Sequence, residues 1–383
     1  MSLSATRESR SFVTDVRAPQ RPPLPALTGI RFLAAFYVVL FHGLPFLKGR
    51  YHIPMALQTF LSNGSLAVGF FFVLSGFILS YTYEGQVQGG ANRARFWEAR
   101  FARIYPVYLL SLFLSYWFQQ GLSFGAALSV VLMVQAWNPF KPELAGAWNY
   151  PAWTLSAEAF FYLCFPFVLP WASRKSTRTL YWFAGIFLAL CVFGHTIVQA
   201  LGNVDRTTLV GRVLPLPLIR LPEFLLGIAL GLLFLRSDKR ERPAIRTYAA
   251  AIATIVLLSL PVGEWVSLVV VPFAILAYDL ALGTSFLARL LSTRTMTLLG
   301  GASYSIYLLQ YPIRAWTRVL FSWGSPTVTI LGQILTPLIL VVCAIFVFLY
   351  WEEPSRRALR GWFAAVNGRL ARLRASRVPA QEN

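Results

Sequence analysis

The segment "RFLAAFYVVLFH", Arg31 to His42, sets a guanidinium and an imidazole at the two ends of an apolar run. On a helix, 11 positions at about 100° each come within about 20° of whole turns, so both groups share one face about 16 Å apart. Imidazole titrates near neutrality and suits proton transfer, and ionisable groups at membrane depth usually line a polar pathway. The alternatives are a snorkelling anchor for Arg31 and a satisfied helix-end histidine for His42. Arg100 and Arg103 are three apart and share a face if a helix has begun; arginine clusters bind phosphate well, although inner-side arginines also follow from membrane topology alone. Arg220 and Glu223 have the same spacing and either pair with each other or contact a substrate. His52 falls in a link and is expected to be solvated, and His195 to be buried or interfacial.

These residues are carried by a chain of 383 residues that is 57% hydrophobic and only 13% charged. Soluble domains carry about 25% charged residues, so the chain is expected to be an integral membrane protein throughout. The net charge of +19 resides in short links between apolar runs and in the tail. That is the positive-inside pattern and not a nucleic-acid stripe, so no nucleic-acid partner is expected. The three cysteines, Cys164, Cys191 and Cys343, all lie in apolar segments. With no CxxC and no Cys/His cluster, neither a disulfide framework nor a metal site is indicated. The N-terminal residues 1–26 are polar, Arg-bearing and Pro-rich, without a cleavage site, and are expected to be a disordered cytoplasmic lead-in.

Apolar runs near bilayer length fall at 30–47, 64–83, 104–118, 123–137, 153–171, 179–200, 214–235, 247–260, 264–283, 299–321 and 327–351. Basic residues put the N-terminus and the link around Arg93–Arg103 inside. Counting every run as a crossing then places the basic links 173–178 and 236–246 outside. The conflict disappears if 104–137 crosses once, with the short run after Gly121 re-entrant or interfacial, which is tolerated where protein buries it. The expected fold is therefore all-α: a polytopic helical bundle of about ten transmembrane helices with one re-entrant or interfacial segment. A transmembrane domain over 27–353 is followed by a basic cytoplasmic tail, 354–383, suited to anionic lipid. Both termini are expected in the cytoplasm.

The pattern of Arg31 and His42 resembles that of the membrane acyltransferase-3 family, multi-pass enzymes that O-acylate surface and exported carbohydrates. "VGFFFVLSGFILSY" (68–81), "RFARIYPVYLL" (100–110), "WTLSAEAFFY" (153–162), "RLPEFLLGIALG" (220–231), "GGASYSIYLLQYP" (300–312) and "EEPSRR" (352–357) are similar to further family blocks in the same order. The resemblance covers nearly the whole chain. One departure is Gln310, where relatives commonly carry histidine; glutamine hydrogen-bonds but does not exchange a proton near neutrality. The chain ends soon after its last run, which implies a single-module enzyme without the hydrolase-like domain fused to some relatives.

The resemblance implies an O-acyltransferase of the inner membrane, moving an acyl group, with acetyl expected, from cytosolic acyl-CoA to a sugar hydroxyl. Such transfer needs a base for the hydroxyl proton and a donor for the developing oxyanion. His42 is expected to be the base. Glu158, early in a run that enters from outside, is expected at the depth of His42, where a carboxylate could orient the imidazole; the alternative is a structural ion pair. Arg31, Arg100 and Arg103 are expected to hold the donor. Trp153 is expected as a packing or interface aromatic, with a sugar platform as the alternative, and Arg220 and Glu223 are candidates for acceptor contact. The partners implied are a carbohydrate acceptor, the bilayer and a glycan-assembly machinery. A transporter or exporter is the competing reading, but the two interrupted halves such proteins often show are not found. A scaffold in a glycan-assembly complex is another.

Overall fold

The computed structural model describes residues 21–48, 52–118, 121–202, 215–238, 243–261, 263–322 and 326–375. Most of the expected N-terminal lead-in and the end of the basic tail lie outside the described residues. Regular structure among the described residues is helical, with no strand. In chain order the helices are α1 (Pro25–Lys48), α2 (Met55–Ser62), α3 (Ala67–Tyr83), α4 (Gly90–Tyr116), α5 (Phe124–Val131), α6 (Trp153–Ser173), α7 (Thr177–Gly202) and α8 (Leu216–Ile219). They continue as α9 (Leu221–Arg236), α10 (Ala244–Ser259), α11 (Val270–Leu282), α12 (Phe286–Leu291), α13 (Arg294–Gly301), α14 (Ser303–Ser322), α15 (Pro326–Val347) and α16 (Glu353–Ala375).

Among the described residues, five helical segments are long and apolar enough to cross a membrane: Pro25–Pro45, Met55–Tyr83, Tyr150–Ser173, Thr177–Gly194 and Ile330–Leu370. The expected count of about ten exceeds this. The run 214–235 divides into α8 and α9, and α10 has 16 residues, about 24 Å of helix against a hydrocarbon core of about 30 Å. The run after Gly121 forms only α5, eight residues long and about 12 Å, too short for a crossing. Its following loop is tied down by Trp137 Nε1 donating to Ser156 O at 2.8 Å and Ala136 N to Ser156 Oγ at 3.1 Å. Protein partners of this kind are what irregular backbone at membrane depth requires.

α3 is apolar apart from a few hydroxyl side chains, Ser75 among them, and occupies the centre: the most apolar stretch of Met55–Tyr83 is 72% buried, against 11% for that of Thr177–Gly194 at the rim. Its tightest neighbour is α9. A Cβ on Gly76 would lie 2.1 Å from Phe224 O, and one on Gly227 2.2 Å from Val73 O. Small residues let the two backbones meet, since lipid offers no hydrophobic drive between helices. Gly76→Val should therefore destabilise the bundle by about 1–3 kcal/mol or more through overpacking. Thermal unfolding in detergent checks this, and an unchanged midpoint would contradict the close approach.

The bundle has two distinguishable ends. At one, Tyr81 OH donates to Pro22 O at 2.9 Å and Arg21 pairs with Glu84 at 2.7 Å, joining the start of α1 to the end of α3. At the other, a Cβ on Gly64 would lie 2.4 Å from Phe41 Cβ, so α1 and α3 run antiparallel. Asn149, fully buried, donates to Ser111 Oγ at 3.0 Å and to Leu308 O at 3.1 Å. It pins the entry to α6 between α4 and α14.

Candidate active site

Five helices converge on a cavity of about 130 Å³. Arg31 enters from α1, Phe71, Phe72 and Ser75 from α3, and Arg100 and Arg103 from α4. Thr154, Glu158 and Tyr162 enter from α6, and Tyr304 and Tyr307 from α14. The spacings are helical: residues three or four apart occupy one face, which is how each helix aims several side chains at one space.

Glu158 is held from two elements. Ser75 Oγ donates to its Oε1 at 3.1 Å, and Tyr162 OH, one turn along α6, donates to the same oxygen. Arg31 lies within electrostatic reach of Glu158, Arg103 and Glu352. Among the described residues it makes no hydrogen bond or ion pair. Arg100 sits among aromatic faces, its guanidinium 5.4 Å from the ring centre of Tyr83, 5.8 Å from Phe96 and 5.9 Å from Tyr162. Its Nη2 donates to Tyr83 OH at 3.1 Å, and its buried Nε has no partner among the described residues.

Arg103 is the one cavity arginine with a direct carboxylate. A π-helical turn, Phe348–Glu352, turns Glu352 inward to 1% exposure, where it meets Arg103 Nη1 at 2.8 Å and accepts from Ser305 Oγ at 2.8 Å. Single π turns recur at functional sites. Removing one partner of a buried pair strands the other charge, so Glu352→Ala should cost about 3–5 kcal/mol. Glu352→Gln, which keeps an acceptor for Ser305, should cost less; unfolding midpoints that match wild type in both variants would contradict the pair's role.

With both carboxylates ionised, the cluster holds three guanidinium groups against Glu158 and Glu352, one positive charge in excess. A desolvated site with surplus cation and an orphan Nε suits an anionic occupant.

His42 lies apart from this cluster. It is half-buried on α1, its ring 5.9 Å from that of Tyr150 in an edge-on arrangement, and it does not line the cavity. Arg314 of α14 donates to its main-chain oxygen and to Val39 O at 3.4 Å. Pro45 lies inside α1 and leaves the Phe41 carbonyl, one turn earlier, without its helical donor; Arg314 bonds the carbonyls on either side of it. The sequence expectation that Glu158 lies at the depth of His42 is corrected: Glu158 groups with Arg31 and makes no hydrogen bond or ion pair with the imidazole. The entry turn Tyr150–Ala152 already lies beside His42 with Pro151 and Ala152 buried, so Glu158 is about 12 Å further along the chain direction than Tyr150.

Trp153 opens α6 and packs edge-on against Phe72, centroids 6.5 Å apart, outside the cavity lining. Arg220 and Glu223 pair with each other at 3.0 Å against Gly69, and Arg220 lies over the Phe72 ring at 5.6 Å. Gln310 is 3% exposed, donates to Tyr307 O at 2.8 Å and does not line the cavity. His52 is exposed, and the side chain of His195 lies outside the described residues. The residues that sequence reasoning missed are Ser75, Tyr162, Glu352, Tyr307 and Arg314. Only Tyr162 carried a usable signal, four positions after Glu158. No group of three or more His, Cys, Asp or Glu with metal-ligand geometry occurs among the described residues.

Residues 24–351 match the family model described as "Acyltransferase domain". Acyltransferase MdmB of Streptomyces mycarofaciens is 29% identical over 317 residues, covering 77% of this chain and 80% of that protein. O-acetyltransferase OatA of Staphylococcus aureus (strain NCTC 8325 / PS 47) is 25% identical over 374 residues, covering 87% of this chain but 57% of its own length. The chain thus spans little more than half of that relative. Protein 2 in picA locus of Rhizobium radiobacter is 40% identical over 96 residues, 24% of this chain and 45% of that one. No solved structure matches. The family match over most of the sequence, together with apolar helical segments of spanning length, leads to one conclusion: the chain belongs to the Acyltransferase domain family and is a membrane acyltransferase.

Proposed function

We propose that the protein is an O-acyltransferase that moves an acyl group, acetyl first among them, from cytosolic acyl-CoA to a hydroxyl of a carbohydrate. The acceptor is a surface or exported polysaccharide, a lipid-linked oligosaccharide or a glycolipid. The observation that carries this reading is the cavity of Arg31, Arg100 and Arg103, whose positive surplus and partnerless Arg100 Nε suit a phosphate-rich thioester. The O-acetyltransferase name of one relative agrees with it.

In this reading Arg31, Arg100 and Arg103 hold the phosphate-rich part of the donor from the cytosolic side. His42, at the opposite end of the same helix face, takes the proton of the acceptor hydroxyl. Glu158, fixed by Ser75 and Tyr162, balances Arg31 within the donor cavity instead of touching the imidazole. The chain sits in the inner membrane with both termini cytoplasmic; the basic links favour about ten crossings, the shorter helices included. Arg220, Glu223 and Trp153 act on the acceptor only through packing around Phe72.

Mass spectrometry of cell-surface and exported glycans, with and without this protein, tests the reading. One acyl ester should disappear from one glycan when the protein is removed. Unchanged acylation across all glycans would overturn it.

A further inference from the structure

α14 carries two arginines one turn apart, Arg314 and Arg318, in the half of the helix away from the donor cavity. Its first turns belong to the cavity: Tyr304 lines it, and Ser305 bonds Glu352. Its later turns reach the His42 end of α1, where Arg314 donates to the main-chain oxygens of His42 and Val39. A Cβ on Gly43 would lie 3.4 Å from Arg314 Nη2, so the guanidinium rests on the backbone at His42. A guanidinium has five N–H groups, and these two bonds leave the others free for a ligand. Arg318 shares the face of Arg314, is exposed and makes no hydrogen bond or ion pair among the described residues.

Capping carbonyls asks for N–H groups, not for a cation, and asks nothing of Arg318. In the topology proposed above this is the outer end, where spans carry few basic residues. Like charges at i, i+4 repel each other, and among the described residues neither arginine pairs with a carboxylate. Glu223, toward the same end beside Gly69, is taken by Arg220 at 3.0 Å. Glu143 is exposed in the turn Pro142–Gly146.

We propose that Arg314 and Arg318 form an acceptor subsite for an oxyanion, a carboxylate or phosphate borne by the glycan within reach of the hydroxyl that His42 deprotonates. The proposal rests on the O-acyltransferase reading above and adds to it the charge class of the acceptor. The planar fork of arginine matches carboxylate and phosphate oxygens. A bound oxyanion relieves the repulsion between the two guanidinium groups and holds the sugar at His42 by a group that does not react. Two sources supply this chemistry: an acidic sugar within the glycan, or a phosphate joining the glycan to a lipid.

The test uses purified full-length protein in nanodiscs, labelled acetyl-CoA, and an envelope fraction from cells lacking the protein as acceptor. After removal of free donor, labelled product should be retained on an anion exchanger. Retained product that extracts into organic solvent carries the lipid-linked phosphate, and retained product that stays aqueous carries an acidic sugar; either supports the proposal. Arg318→Gln should raise the half-saturating amount of acceptor about five- to tenfold at low salt, and less at about 0.5 M salt, where exposed charge is screened. The donor KM should stay within about twofold of wild type, and Arg318→Lys should recover part of the acceptor affinity, since it keeps the charge but not the fork. Half-saturation does not depend on the fraction of a variant that folds. An uncharged labelled product, or an Arg318→Gln half-saturation equal to wild type, overturns the proposal alone. No labelled carbohydrate with wild type overturns the acyl-CoA reading, and the proposal with it.

Discussion

Replacing His42 with alanine should lower acyl transfer by about 10²–10⁴-fold, the range general acid–base catalysis supplies, while the protein stays inserted and folded. The second half of this expectation follows from what anchors the residue. Arg314 bonds the main-chain oxygens of His42 and Val39, not the imidazole, so the substitution leaves the α1–α14 link in place. The ring itself meets Tyr150 edge-on and its neighbour Phe41 at a tilt. His42→Gln should be as inactive as His42→Ala, since an amide donates and accepts but does not exchange a proton near neutrality. The donor KM should change little, because the arginine cavity is about three helical turns away. Steady-state kinetics against donor and acceptor check each part, and activity retained in either variant removes His42 from the mechanism.

Arg31→Ala should reduce kcat/KM for the donor by about 10²–10³-fold, in line with the about 2–5 kcal/mol lost when one partner of a desolvated charge contact is truncated. Its stability signature should run the other way. Arg31 has no hydrogen bond or ion pair among the described residues, so the side chain brings an incompletely compensated charge into the bundle. Removing it should leave the unfolding midpoint unchanged or raised. That pairing of large kinetic loss with no structural loss separates a functional arginine from a snorkelling anchor, whose removal should do little to rate. Arg31→Lys should recover only part of the activity, because an ammonium lacks the planar fork of donors. Near-wild-type kcat/KM in Arg31→Ala, measured with labelled acetyl-CoA, contradicts the assignment.

Much of the fold was legible because lipid imposes simple rules. Long apolar runs became helices, and the run after Gly121 became the eight-residue α5. Composition could not reveal how far each helix reaches. α9 follows a separate short helix, and α14 carries Gln310, Arg314 and Arg318, so apolar length alone counts five spanning segments among the described residues. Within the site, the grouping of Arg31, Arg100 and Arg103 was accessible from spacing and from family resemblance. The depth of Glu158 was not. It depends on Asn149 and the turn Tyr150–Ala152, whose Pro151 and Ala152 are buried, which draw the chain into the bundle before α6 begins. A polar residue ahead of a helix gives no sign that it will be fully buried. Glu352 was hidden for a similar reason, since only a π turn brings that position inward.

The most direct measurement is transfer of labelled acetyl from acetyl-CoA to carbohydrate by the purified protein, with wild type, His42→Ala and Arg31→Ala assayed side by side on one envelope fraction. Alkali-labile label on carbohydrate with the wild type, and little or none with either variant, is the predicted result. Equal labelling by all three proteins, or none by the folded wild type, would contradict transfer from an arginine-held donor to a hydroxyl activated by His42.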